Sequence, residues 1–165
     1  MPTKPATKAA VKSRKSTPDA IDLLIEDHEK VKKLFKEFEK LAKKDDIEGK
    51  VEVANKICEE LTIHAQIEEE IFYPAARAAI DDDDMLNEAE VEHASAKDLI
   101  AQISGMSGKD EMYDAKVTVL SEYINHHVEE EEGEMFKKVK KSKLDLDALA
   151  VQMMERKEEL LGALA

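Results

Sequence analysis

Four histidines, His28, His64, His93 and His127, each sit in the middle of a stretch where apolar residues recur at helical spacing. Two of them are followed four residues later by glutamate, as His64–Glu68 and His127–Glu131. Residues i and i+4 share one face of a helix, about 5–6 Å apart at Cβ, so each pair aims two donor groups in the same direction. A buried carboxylate without a partner is costly, and the apolar stripes offer no Lys or Arg to Glu68 or Glu131. A metal ion supplies the missing positive charge. In the plainer reading each histidine is a satisfied core residue, and the acid runs Glu68–Glu70 and Glu129–Glu132 are solvated faces. That holds for most lone histidines on an apolar stripe. Four histidines on four helices, two of them repeating H-x-x-x-E, make it the weaker account here.

Helices must carry these residues. Ile21, Leu24, Val31, Phe35 and Phe38 surround His28, and Val53, Ile57, Leu61, Ile71 and Ala75 surround His64. Leu86, Ala89, Ala96, Ile100 and Ile103 accompany His93, while Val117, Leu120, Ile124 and Met135 accompany His127, all at a period near 3.6. Thr17-Pro18-Asp19 reads as an N-cap, a proline at the first helical position and an acid in the first turn. Asp45-Asp46 and Gly49 break the first helix, Pro74 kinks or ends the second, and Asp81–Asp84 form a turn and the acidic start of the third. The third stops at Gly105–Gly108 and the fourth begins near Lys109, its end favoured by Lys137, Lys138, Lys140 and Lys141. From Leu144 a shorter amphipathic pattern predicts a fifth helix. The expected fold is all-α: an up-down-up-down four-helix bundle over residues 19–142, with an additional C-terminal helix over 143–165 packed on it.

Composition agrees. The 165 residues hold 25 Lys and Arg against 38 Asp and Glu, a net charge of −13, with 42% apolar residues, enough for a core under a solvated surface. Residues 1–18 contain five basic residues and no acid, so the rest of the chain carries −18. The basic stretch is expected to be a disordered tail, with too little to bury. An acidic body repels a phosphate backbone, so nucleic-acid binding is not expected apart from weak contact by the tail. The single Cys58 excludes an internal disulfide framework, and no membrane-length apolar run or signal-peptide pattern follows Met1. A cytoplasmic protein without a membrane partner is the expectation.

Four imidazoles and two carboxylates exceed one tetrahedral zinc site and suit two metals bridged by carboxylates; this donor set favours iron. Ferritin-like di-iron bundles use E-x-x-H with additional Glu, whereas this set is imidazole-rich with the spacing reversed. The segments LLIEDHEKVKKLFKEF, LTIHAQIEEEIFYPAAR, EVEHASAKDLI and YINHHVEEEEGEMFKKV resemble the bacterial hemerythrin-like (HHE cation-binding) family over about residues 21–140. The resemblance implies a four-helix bundle around two Fe ions in an oxo- or hydroxo-bridged di-iron centre. Carried over by residue, His28 and His64 would hold one iron, His93 and His127 the other, and Glu68 and Glu131 would bridge them. In the His126-His127 doublet His127 is the ligand, because it shares the stripe of Leu120 and Ile124. Moreover, Glu131 is followed five residues later by Phe136, just as Glu68 is by Tyr73. His126 falls beside Val119 and Tyr123, in a supporting or surface position.

The family's oxygen carriers place two His four apart on the third helix; here Ala89 precedes His93 and Lys97 follows it at that spacing. Glu90, a tyrosine or water would replace the missing ligand, although Glu90 reads first as a surface acid. The function implied is that of a non-haem di-iron protein binding or reducing O2, peroxide or NO, served by an unidentified electron donor and acting in stress response or scavenging. Peroxide- or NO-consuming activity is among the reactions this implies. The alternative is a metal-free or structurally metallated helical interaction module.

Overall fold

The computed structural model describes residues 17–164, all of whose regular structure is helical. Helix α1 runs Ala20–Lys43 and α2 runs Ile47–Ile67. A π-helical turn, Glu68–Phe72, continues α2 directly into α3, Tyr73–Ala79. Helix α4 spans Asp83–Ser104 and α5 spans Tyr113–Glu130; a second π-helical turn, Glu131–Met135, leads into α6, Phe136–Lys141. Helix α7, Leu146–Leu164, closes the chain. Four long rods, α1, α2–α3, α4 and α5–α6, therefore form the bundle, with α7 laid against one end. Among the described residues no helix is long and apolar enough to cross a membrane.

Several local expectations shift. Asp19, not Thr17, caps α1: its carboxylate accepts from the Asp22 amide at 2.9 Å while the Asp22 carboxylate accepts from the Asp19 amide at 3.1 Å. This reciprocal box satisfies two otherwise orphaned donors and leaves Pro18 outside the helix. Gly49 lies within the first turn of α2, donating its amide to the N-cap Asp46 at 2.9 Å. Pro74 does not end the second rod. It follows the first π-helical turn, where the ladder is already displaced, and the helix runs on to Ala79. The expected basic tail lies outside the described residues, save for positions 17 and 18.

Apolar burial divides into two clusters. One gathers Ile21, Leu24, Ile67, Phe72, Leu86 and Phe136, and includes Leu149 and Met153 of α7. The other gathers Val31, Phe35, Phe38, Ile57, Leu61 and Leu120. Along α1, His28 falls between Leu24 of the first cluster and Val31 of the second; along α4, His93 falls between Ala89 and Ala96. The histidines thus form a polar layer at the seam between the two cores.

Candidate metal centre

The six residues singled out in the sequence converge on this layer, each of them buried: Glu68 is fully enclosed and Glu131 is 2% exposed. Glu68 Oε1 lies 3.2 Å from His64 Nε2 and 3.1 Å from His93 Nε2. Glu131 Oε1 lies 3.2 Å from His28 Nε2, and its Oε2 lies 3.2 Å from His127 Nε2. Each glutamate therefore touches one histidine of each proposed pair. Donor atoms of His28, His64, Glu68 and Glu131 all lie within 4.8 Å of one another, as do those of Glu68, His93 and His127. His28 Nε2, His64 Nε2, Glu68 Oε2 and Glu131 Oε1 are buried with no hydrogen-bond partner. Buried polar atoms are rarely left so. Four of them facing one another, imidazole nitrogens beside carboxylate oxygens, fit a cation held among them.

The outer ring nitrogens are all engaged. His64 Nδ1 donates to Asp27 at 2.9 Å, His93 Nδ1 to Glu69 at 2.8 Å, His127 Nδ1 to Glu92 at 2.6 Å, and His28 Nδ1 to Glu132 at 2.6 Å. The ring of contacts is cyclic. The first rod supplies the carboxylate for the second rod's histidine, the second for the third, the third for the fourth, and the fourth for the first. Such a hydrogen bond fixes each imidazole as the tautomer whose Nε2 lone pair faces inward, and it raises the basicity of that nitrogen. Cations extend the pattern outward: Lys157 of α7 holds Asp27 at 2.9 Å and Lys97 holds Glu69 at 2.6 Å. Removal of one such carboxylate, in Asp27→Asn or Glu92→Gln, is expected to lower metal affinity about 10–100-fold without unfolding the chain, measured by chelator competition.

Sequence reasoning missed these four acids, although each adjoins a residue of the expected ligand set: Asp27-His28, Glu68-Glu69, Glu92-His93 and Glu131-Glu132. It also missed what Tyr73 does. Because the π-helical turn bonds the Tyr73 amide to the Glu68 carbonyl, a residue five positions on takes the angular place that four positions on would occupy in an α-helix. The phenol then reaches into the layer, donating to Glu131 Oε2 at 2.5 Å and lying 3.2 Å from Nε2 of both His93 and His127. Burial and the carboxylates of Glu131 and Glu68 push its pKa well above the usual tyrosine value. The second π-helical turn brings Phe136 to the corresponding place, where its ring stacks on His28 with centroids 6.1 Å apart. One half of the centre therefore faces a phenol and the other a hydrocarbon.

Glu90 does not approach the layer; it is exposed and lies 3.6 Å from Arg77. One turn before His93 is the right height on α4 but the wrong face. His126 is likewise exposed, pairing with Glu130 at 2.7 Å.

Burial alone would lower the imidazolium pKa of His64, yet the Glu68 carboxylate, helped by Asp27, raises it to about 10. His127, buried beside Glu131 and Glu92, rises to about 11 by the same contest. Burial would raise Asp27, but its hydrogen bond from His64 brings it down to about 2. Without a metal, protons on His64 and His127 take over charge compensation of the buried carboxylates beside them.

A cavity of about 40 Å³ lies over the four histidines, with Val31, Leu61, Ala96, Ile100 and Ile124 among its walls. Phe72 and Phe136, both buried, pack edge to face with centroids 5.6 Å apart within the apolar cluster at the other side of the layer.

Comparison with known proteins places the chain. It is 32% identical over 115 residues to a protein of Nostoc sp. described as a DNA nickase, covering 70% of this chain and 32% of that one. The chain thus spans about a third of the length of that relative. A crystallised hemerythrin HHE cation binding domain-containing protein from Mycobacterium kansasii superposes with a TM-score of 0.71 at 24% identity, over 89% of this chain and 90% of the other. The Hemerythrin HHE cation binding domain matches residues 19–139. The chain therefore belongs to the hemerythrin HHE cation-binding family, and its all-helical bundle is that family's fold.

Proposed function

We propose that the protein is a non-haem di-iron protein that binds or reduces a small oxidant, O2, peroxide or NO, in a scavenging or stress-response role. The observation that carries this reading is the sharing of Glu68 and Glu131 between two pairs of inward-facing Nε2 atoms. Carboxylates shared in this way suit two metals held side by side, and the imidazole–carboxylate set suits iron. His28 and His64 would hold one ion, His93 and His127 the other, with Glu68 and Glu131 between them. Tyr73, on the His93 side, places its phenol beside both histidines of that pair.

A bound iron pair supplies two electrons together to a single small molecule. The chain's part is selection and shielding. The small cavity with aliphatic walls favours an uncharged diatomic or peroxide over a larger or ionic substrate, and Phe72 and Phe136 keep water from the opposite side. Tyr73 holds a proton at its phenol oxygen, between Glu131 and the two histidines, where a reduced ligand would need one. Residues 19–142 act as the metal-binding bundle and α7 steadies it from outside. The nickase activity belongs to a relative of which the match covers 32%, and the −18 charge of this body opposes phosphate binding.

Metal analysis with an absorption spectrum before and after dithionite tests this. About two irons per chain and near-ultraviolet bands that bleach on reduction are expected. The reduced protein should oxidise rapidly and irreversibly in air and consume peroxide or NO when electrons are supplied. Stoichiometric zinc, or no metal after growth with added iron, would overturn the reading.

A further inference from the structure

The metal layer has a second approach, unlike the aliphatic cavity. Between the start of α4 and the second π-helical turn lies a cavity of about 180 Å³ whose walls include Asp84, Glu88, Glu92, Glu130 and Glu134, with no Lys or Arg among its lining residues. His127 and Glu131 line it as well. Glu131 is 2% exposed, and its Oε1 has no hydrogen-bond partner. The cavity is several times larger than the aliphatic one and has room for water molecules. Lys138, from α6, is engaged with Asp82 at 2.5 Å. At the rim, donor atoms of Glu92, Glu130 and the exposed His126 lie within 4.8 Å of one another.

Resting on the metal-centre reading above, we propose that this acidic cavity is the loading port through which a hydrated divalent cation enters and sheds water before reaching Glu131 and His127. A cleft lined by one sign of charge concentrates counter-ions and accelerates their arrival. A cation attracted by Glu88, Glu134 and their acidic neighbours meets the rim group of Glu92, Glu130 and His126 as a first resting place. It passes from there to Glu131 and His127, which line the port and belong to the centre. The smaller cavity, whose walls are mostly apolar although Asp27, Glu92 and Lys97 also line it, serves small uncharged molecules instead. Two entrances separate loading from ligand traffic.

The test is the rate of Co(II) uptake by the full-length chain after chelator treatment, followed by the visible bands of the bound ion. A triple variant, Asp84→Asn with Glu88→Gln and Glu134→Gln, removes charges from the port and no residue assigned as a ligand. It should load about tenfold more slowly at low ionic strength, or slower still, yet reach the wild-type stoichiometry. A control triple, Glu37→Gln with Glu48→Gln and Glu52→Gln, removes the same charge elsewhere and should load at nearly the wild-type rate. Wild-type uptake should fall steeply with salt while that of the port triple stays flat. Equal rates in wild type and port triple, or equal slowing in both triples, would overturn the port and leave the metal centre standing. Failure of wild type to bind any divalent ion would overturn both.

Discussion

Replacing Glu68 should empty both halves of the centre at once. Its Oε1 lies within 3.2 Å of a histidine from each pair, so neither ion keeps a full ligand set without it. Glu68→Ala is therefore expected to lower affinity for both metals by more than about 100-fold, beyond the range found for supporting residues. The isosteric Glu68→Gln keeps the volume and removes the charge, which separates loss of the ligand from creation of a cavity. Stability falls with the metal: a ligand at a thousand times its Kd contributes about 4 kcal/mol. For a chain of this size that loss is on the order of 10 °C in Tm. His64→Ala, His127→Ala and Glu131→Ala should behave alike, whereas His126→Ala, at the exposed rim, should keep most of the metal. Elemental analysis and thermal melts on the same samples check this. Two ions retained by Glu68→Gln, or metal lost from His126→Ala and kept by His127→Ala, would reverse the ligand assignment.

Metal binding should strengthen as pH rises, and the gap in melting temperature between loaded and chelated protein should widen. Without metal, His64 and His127 are held protonated up to about 10 and 11 by Glu68 and Glu131. Their unfolded value is near 6.5. Because folding raises these pKa values, the stability they contribute is fully present below about pH 6.5 and is lost as pH climbs toward 10 and 11. A bound cation requires neutral imidazoles, so loading must expel those protons. The chelated chain therefore weakens across this window while the loaded chain does not. Melts at several pH values above 6.5, with and without chelator, provide the measurement, and proton release into a weakly buffered indicator solution provides a second. A gap that narrows with pH would mean that the buried carboxylates are compensated in some other way.

The core of the centre was legible because its residues break two rules together. His28, His64, His93 and His127 occupy apolar positions of four helical repeats, and Glu68 and Glu131 sit one helical turn after two of them. The carboxylates that orient the histidines were not legible. Glu69 and Glu132 lie inside acid runs, and Asp27 and Glu92 on helix faces already rich in charge, so nothing local separates a half-buried acceptor from a solvated neighbour. Tyr73 was hidden for another reason. Five residues after Glu68 it should point well away in an α-helix, and only the π-helical turn returns it to the layer. Pro74 suggests a kink or an end in the sequence because the same turn, which accommodates it, leaves no mark in hydrophobic periodicity. Glu90 stands one turn before His93, and its face turns it to solvent and Arg77, as the surface-acid reading expects.

The seam between the two apolar clusters gives the centre a mechanical role. Neither cluster crosses the layer, so hydrophobic cohesion is interrupted at the height where the four histidines meet. The cyclic contacts between rods, from Asp27 around to Glu132, act there as a drawstring, and bound ions would tighten it from inside. With the string slack, the two clusters are expected to open separately, and backbone amides near the seam should be the first to exchange with solvent. With it drawn, the two halves open only together. The same few side chains that orient the histidines thus decide whether the bundle is one cooperative unit or two.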